Sequence, residues 1–282
     1  LVNSEKVNVL ARRRFSELVF GEEHPYGVTV KDDDFDKLTL ESVIEFYKTF
    51  YHSGNCTIIA SGKLSKDLIE TLNRFFGKTT WGEVQAIPVP KMEVQTTKQL
   101  KHFIEKPDAI QSAVRVGRLM FNKKNPDYFK FQVLNTILGG YFGSRLMTNI
   151  REDKGYTYGI GSGLASLVNG GFFYISTEVG TDVTNDTLKE IYKEIKLLRE
   201  ELVDADELET VRNYVLGQFL RSVDGPYSLA DKFKAIWEFD LGYDYFEKYF
   251  EAVKTITPEE IKSLANTYLQ EKDLIELVVG KK

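Results

Sequence analysis

Three histidines, one cysteine, a run of acids and one glycine-rich stretch are the places where this 282-residue chain could do chemistry. None of His24, His52 and His102 has a companion at a metal-ligand spacing, since H-x-x-H, H-E-x-x-H and H-x-x-E-H are all absent. A thiolate site would need a second cysteine beside Cys56. His24 and His52 therefore read as turn residues and His102 as part of a strand surface, and a zinc site built wholly from this chain is not expected. Cys56, in the apolar run CTIIASG, reads as a buried, inert thiol. The acids of KDDDFD, residues 31 to 36, lack the spaced ligands and closing glutamate of a calcium loop, and read as a solvated turn.

The stretch NIREDKGYTYGIGSG, residues 149 to 163, poses a sharper question: a turn that only starts a strand, or a surface built to hold something. Glycines 155, 159, 161 and 163 suggest a phosphate cradle. Such a cradle needs a strand before the glycines and a helix after them, whereas the order here is helix, glycines, strand. A serine nucleophile elbow fails similarly, because the serine of GIGSG stands one place late and follows a helix. On residue type alone, Arg151 in a last helical turn complements the helix dipole, and Tyr158 on a strand suits a sheet core.

Helical periodicity covers residues 4 to 20, 39 to 52, 65 to 77, 126 to 138, 183 to 200, 204 to 222, 227 to 239 and 257 to 269. Strand-like runs are CTIIASG, KHFIEK, AIQSAVRVGRLM, YTYGIGSGL, GFFYISTEVG and LIELVVG. The order lacks a strict βαβ rhythm. It favours an α+β fold, an antiparallel-rich sheet with helices packed on one face, over a doubly wound sheet. With 42% hydrophobic residues the chain can bury a core, and a net charge of −5 with interspersed signs argues against a nucleic-acid surface. No apolar stretch approaches the ~20 residues of a membrane span, and no secretory leader opens the sequence.

An internal repeat organises these elements. Leu38 to Lys63 lies without a gap over Ile256 to Lys281, an offset of 218 that takes Thr39 to Thr257, Gly62 to Gly280 and Lys63 to Lys281. Both copies read as a capped helix followed by a strand ending in Gly-Lys. The expected division is the C-terminal part of a first unit over residues 1–81, a linker over 82–97 and a complete second unit over 98–282. The start of the first unit would then precede Leu1.

FGEEHPYG, residues 20 to 27, followed by LTLESVIEFYKTFYHSGNCTIIASGKL, is similar to the close of the first subdomain in insulinase/pitrilysin-type zinc metallopeptidases, which include the mitochondrial processing peptidases. LGGYFGSRLMTNIREDKGYTYGIGSG, residues 138 to 163, resembles the second-subdomain signature of the same family. The resemblance implies stacked α+β subdomains in two halves that close over a peptide, one half carrying an inverted zinc motif, H-x-x-E-H, in a region that would precede Leu1. It also implies that the metal-free half supplies an arginine and a tyrosine, matched here by Arg151 and Tyr158, as substrate-binding donors. A guanidinium and a phenol hydroxyl suit a scissile carbonyl becoming an oxyanion. Tyr156 is a lesser candidate, because the family often has an aliphatic residue there.

Further expectations follow from the same resemblance. No catalytic residue lies in this chain alone, and zinc belongs to a partner or to the region before Leu1. The partner is a zinc-carrying homologous subunit or a second copy, and the substrate is a short unstructured peptide. GGFFYISTEVG is matched to a strand beside the chamber that offers an edge to an extended peptide, and VDADELETVRNYVLGQFLRS to a packing helix. Two rival readings stay open: a complete zinc peptidase whose motif lies upstream, and a scaffold subunit without chemistry. Cytoplasm, periplasm and organelle lumen all fit.

Overall fold

The computed structural model describes residues 5–77, 81–84, 87, 90 and 92–281, so the linker expected over 82–97 lies partly outside the described residues. In chain order the elements are helices α1 (Val7–Phe20), α2 (Asp32–Asp36), α3 (Leu40–Phe50) and α4 (Lys66–Phe76), then strands β1 (Lys101–Glu105) and β2 (Gln111–Met120). Helix α5 (Tyr128–Asn135) leads to strands β3 (Thr157–Leu167) and β4 (Gly170–Gly180). Helices α6 (Thr184–Glu200), α7 (Ala205–Arg221), α8 (Pro226–Trp237), α9 (Tyr245–Thr255) and α10 (Pro258–Tyr268) precede the last strand, β5 (Ile275–Gly280). Two π-helical segments, Thr136–Gly140 and Met147–Asp153, lie between α5 and β3. Each helix expected from periodicity is present. Helix α9, in the aromatic-rich YFEKYFEAVKT, was not expected, nor was α2, which replaces the turn read in KDDDFD. No described helix is long and apolar enough to cross a membrane.

The strands form one sheet in the order β1-β5-β2-β4-β3, antiparallel at every pairing except β1 with β5. The fold is therefore α+β with an antiparallel-rich sheet. Side chains alternate across it: Val114 and Val116 of β2 enter the larger core, and Ala113 between β2 and α1 enters a smaller one. The larger core packs α5, α6, α7 and α10 on one face through Phe131, Leu134, Ile191, Ile195, Val211 and Ile261. On the opposite face α1 sets Ala11, Phe15, Leu18 and Val19 against Ile275, Leu277 and Val279 of β5. Burying one such large side chain stabilises by ~1.5–3 kcal/mol. Strand β5 is buried along its whole length, as a strand covered on both faces must be, and its apolar run reflects that.

Two compact units cut across chain order. The segment through Thr29 joins Met92–Phe219 and Glu238–Lys282, while Val30–Lys91 joins Leu220–Trp237. Helices α3 and α4, in the second of these, bury no side chain.

The repeat holds at the level of local structure. Shifted by 218, α3 falls on α10 and the 3-10 turn Ser53–Asn55 falls on Glu271–Asp273. Thr39 accepts the Ser42 amide (3.2 Å) and Thr257 accepts the Glu260 amide (3.3 Å), each closing a capping box. The copies part at the strand. Ile275–Gly280 sits between two others, whereas CTIIASG forms no strand and Cys56 is exposed, which corrects both expectations. The β-branched residues of that run realise their strand preference only against a partner strand, and no described strand pairs with them.

Candidate functional site

The segment that carries Arg151 is clamped from both ends. Arg145 donates Nε and Nη2 to the two carboxylate oxygens of Glu207 on α7, at 2.8 and 2.6 Å. That bidentate bond raises the Arg145 pKa above its ordinary value, against the opposing effect of burial. Asn149 donates to Glu190 (2.9 Å) and to the buried Glu194 (2.6 Å), both on α6. Its bond is the leading reason that the Glu190 carboxyl lies below the ordinary glutamate range; burial opposes it, while Lys193 and Lys154 add to it. Met147, between the clamps, and Ile150, just past the second, enter the core. A close approach fixes the neighbouring π-helical segment against β3: a Cβ on Gly139 would stand 2.7 Å from the Ser162 amide.

At the C-terminal end of the Arg151 segment, the Lys154 and Tyr156 amides donate to the Asn149 and Ile150 carbonyls, at 3.1 and 3.0 Å. Gly155 turns the chain with φ +67°, the left-handed conformation that ends many helices. Tyr156 then packs against the larger core.

Tyr158 and Gly159 form a β-bulge. Thr157 pairs with Val179 and Ile160 with Thr177, so β3 spends one residue more than β4 between these pairs. Thr157 Oγ1 donates to the Glu178 carbonyl (2.7 Å) and accepts the Gly159 amide (3.1 Å), and Thr177 Oγ1 donates to the Gly159 carbonyl (3.0 Å). The bulge turns Tyr158 outward, leaving it 93% exposed rather than in the core. Arg151 Nε donates to the Tyr158 carbonyl at 3.0 Å, and its guanidinium lies 4.6 Å from the Phe142 ring centroid. The arginine is thus held by its inner nitrogen and its flat face. Among the described residues neither Nη makes a hydrogen bond; the nearest carboxylate, Glu152, stands 3.9 Å away.

Beside Tyr158 the sheet carries an open hollow of about 400 Å³, lined among others by Asn8, Arg115, Gly159, Ser176 and Glu178. The strand expected to offer an edge, β4, has none: β2 and β3 pair along both its sides. Strand β3 is the outer one. Sequence reasoning did not single out Thr157, Thr177, Phe142 or Arg115. The first two hold the bulge through contacts made only once β3 and β4 pair, and the Tyr-Thr-Tyr spacing gave no sign of it, since alternation alone would put Tyr158 on the core side with Tyr156.

Residues 37–215 match the family described as Peptidase M16 inactive domain. The chain belongs to this family. Over 199 residues it is 22% identical to the Bacillus subtilis (strain 168) protein called uncharacterized zinc protease YmxG, covering 71% of this chain and 47% of that one. Over 234 residues it is 20% identical to the same organism's probable inactive metalloprotease YmfF, covering 82% and 53%. The M16 chain thus spans about half the length of these curated relatives. Its fold is that of the peptidase M16 inactive domain from Pseudomonas fluorescens, with a TM-score of 0.84 at 23% identity over 100% of this chain and 67% of that one.

The histidines of the M16 chain each make a local ring-nitrogen contact, while the buried Nε2 atoms of His24 and His52 have no hydrogen-bond partner among the described residues. His24 Nδ1 accepts the Tyr26 amide (3.0 Å), His52 Nδ1 accepts the Gly54 amide (3.1 Å), and His102 Nε2 lies 2.8 Å from the Gln99 carbonyl oxygen. Among the described residues no group of three or more His, Cys, Asp or Glu side chains is placed to hold a metal ion. The donor set here does not fit the zinc for which the relatives are named.

Proposed function

We propose that this chain supplies the substrate-side donors of an M16-type peptidase, binding a short unstructured peptide at Arg151 and Tyr158 while the metal chemistry is carried by a zinc-bearing homologous subunit or second copy. One observation carries the reading: Arg151 is fixed through Nε to the Tyr158 backbone with both Nη atoms free of hydrogen bonds among the described residues, beside a tyrosine that is 93% exposed. A peptide carbonyl oxygen gains negative charge as its carbon is attacked. Donors already in place stabilise that charge without reorganising, and neither a guanidinium nor a phenol takes up a proton in doing so. Gly159 adds room, since a Cβ there would meet nothing within 4 Å.

The same reading assigns residues 1–81 to the C-terminal part of a first subdomain, 82–97 to a linker and 98–282 to a second subdomain. The uncovered face of α3 supports it. Val43, Phe46, Tyr47 and Tyr51 are 53–59% exposed, whereas their counterparts at the 218-residue offset, Ile261, Leu264, Ala265 and Leu269, are 0–8% exposed.

The test is turnover of a quenched-fluorescent unstructured peptide by this protein mixed with a zinc-bearing M16 subunit. Arg151→Ala and Tyr158→Phe are each expected to lower kcat by about two to three orders of magnitude with assembly intact, the usual effect of losing one oxyanion donor. Unchanged turnover in an intact assembly would favour a scaffold role instead.

A further inference from the structure

Arg115 is a half-buried cation that neither the donor pair nor the packing of the sheet uses. Its neighbours Val114 and Val116 enter the larger core, so alternation along β2 turns Arg115 to the other face, opposite Ser176 of β4. There its guanidinium lies 5.8 Å from the Tyr174 ring centroid. No carboxylate of the described residues pairs with it. Glu178, on the same face of β4, is engaged by Asn8 of α1, whose Nδ2 donates to Oε1 at 2.9 Å. Arg12 of α1 adds a second positive charge near Arg115. Burial, more than any neighbour, depresses the Arg115 pKa; Tyr174 and Glu178 oppose that shift and Arg12 adds to it. A guanidinium remains charged under such shifts, so this one is a half-buried cation that Glu178 attracts without a hydrogen bond to it. It opens into the 400 Å³ hollow that Tyr158 also lines.

We propose that Arg115 binds a carboxylate of the peptide held at Tyr158, so that the hollow makes this half of the site prefer acidic peptides. The inference rests on reading Arg151 and Tyr158 as a peptide-binding pair. A guanidinium fork matches a carboxylate with two parallel hydrogen bonds, and Ser176 in the same hollow can donate a hydroxyl. The carboxylate is an Asp or Glu side chain or the peptide's own C-terminus.

Fluorescence anisotropy with three labelled unstructured peptides separates these sources: a central Glu with an amidated end, a central Gln with an amidated end, and a central Gln with a free C-terminal carboxylate. The wild-type protein is expected to bind one or both carboxylate peptides about tenfold tighter than the neutral one. The peptide that gains identifies the source. Arg115→Gln should abolish the preference and Arg115→Lys should keep part of it. Equal binding of all three peptides by the wild-type protein, or a preference that survives Arg115→Gln, overturns the proposal; the first outcome needs no variant to fold. Arg151→Ala and Tyr158→Phe are expected to weaken all three peptides alike. If they do not, while the charge preference persists, the donor-pair reading fails and Arg115 stands. Should no peptide bind measurably, the Arg115 Nε–H resonance decides: a shift with N-acetylglutamate α-amide but not with N-acetylglutamine α-amide upholds the anion site, and no shift with either sinks it.

Discussion

Gly155 shows how much of the candidate site depends on a single backbone conformation. Its φ of +67° lies where a side chain is strained, yet a Cβ there would meet nothing within 4 Å, so conformation alone requires glycine. Gly155→Ala is therefore expected to destabilise by ~1–2 kcal/mol and Gly155→Asn by less, because asparagine tolerates the left-handed region. Urea unfolding of the three proteins checks this; equal stability for Ala and Gly would mean that the corner relaxes. This glycine was legible in the sequence, standing just after a helical pattern that ends in basic and acidic residues. The outward turn of Tyr158 was not, because it depends on Thr177, 20 residues beyond Thr157 and joined to it only in the folded sheet. Cys56 was misread for a related reason: an apolar run implies burial only where something packs on it.

Elements were the most legible scale, since capping residues and apolar spacing act within one helix. Helices α3 and α10 have the same bounds at the 218-residue offset and the same threonine cap, but α10 buries Ile261, Leu264 and Ala265 while α3 buries nothing. The local code is shared and the packing is not. Loss of either cap removes one hydrogen bond to a helix-terminal amide, worth about 1 kcal/mol. Thr257→Ala is expected to lower the stability of the whole sheet unit by that amount, because α10 is part of its core. Thr39→Ala should instead speed amide exchange within α3 and leave the main unfolding transition in place. Global destabilisation of similar size by both substitutions would show that α3 is coupled to the core. Strand pairing was less legible. The family resemblance suggested β4 as an edge, yet its alternating apolar residues serve a strand paired on both sides.

Over the whole unit that contains the sheet, cores on both faces enclose polar groups as well as apolar ones, and tyrosines carry that polarity. Tyr268 donates to Asp127 at 2.7 Å between the rings of Phe121 and Phe131, and burial, then Asp127, pushes its pKa up to about 12. Burial likewise raises Tyr249 to about 12. It raises Tyr192 further still, with Glu276, which accepts its hydroxyl proton at 3.0 Å, adding to the effect. Tyr245 is also raised, by burial first. Unfolded tyrosine ionises near pH 10, roughly two units below these folded values. Between those limits the folded state holds more protons than the unfolded one, so stability falls as pH rises. The contribution is complete below about pH 10 and disappears as pH passes through 12. Urea midpoints are expected to stay level from pH 8 to about pH 9.5 and then drop steeply, while tyrosinate absorbance shows these rings titrating together with unfolding rather than before it. Tyr268→Phe removes one titrating group and should flatten the alkaline slope, even as the lost Asp127 bond lowers stability at neutral pH. A slope unchanged by that substitution, or buried rings that ionise at ordinary pH in the folded protein, would exclude them as the source of alkaline instability.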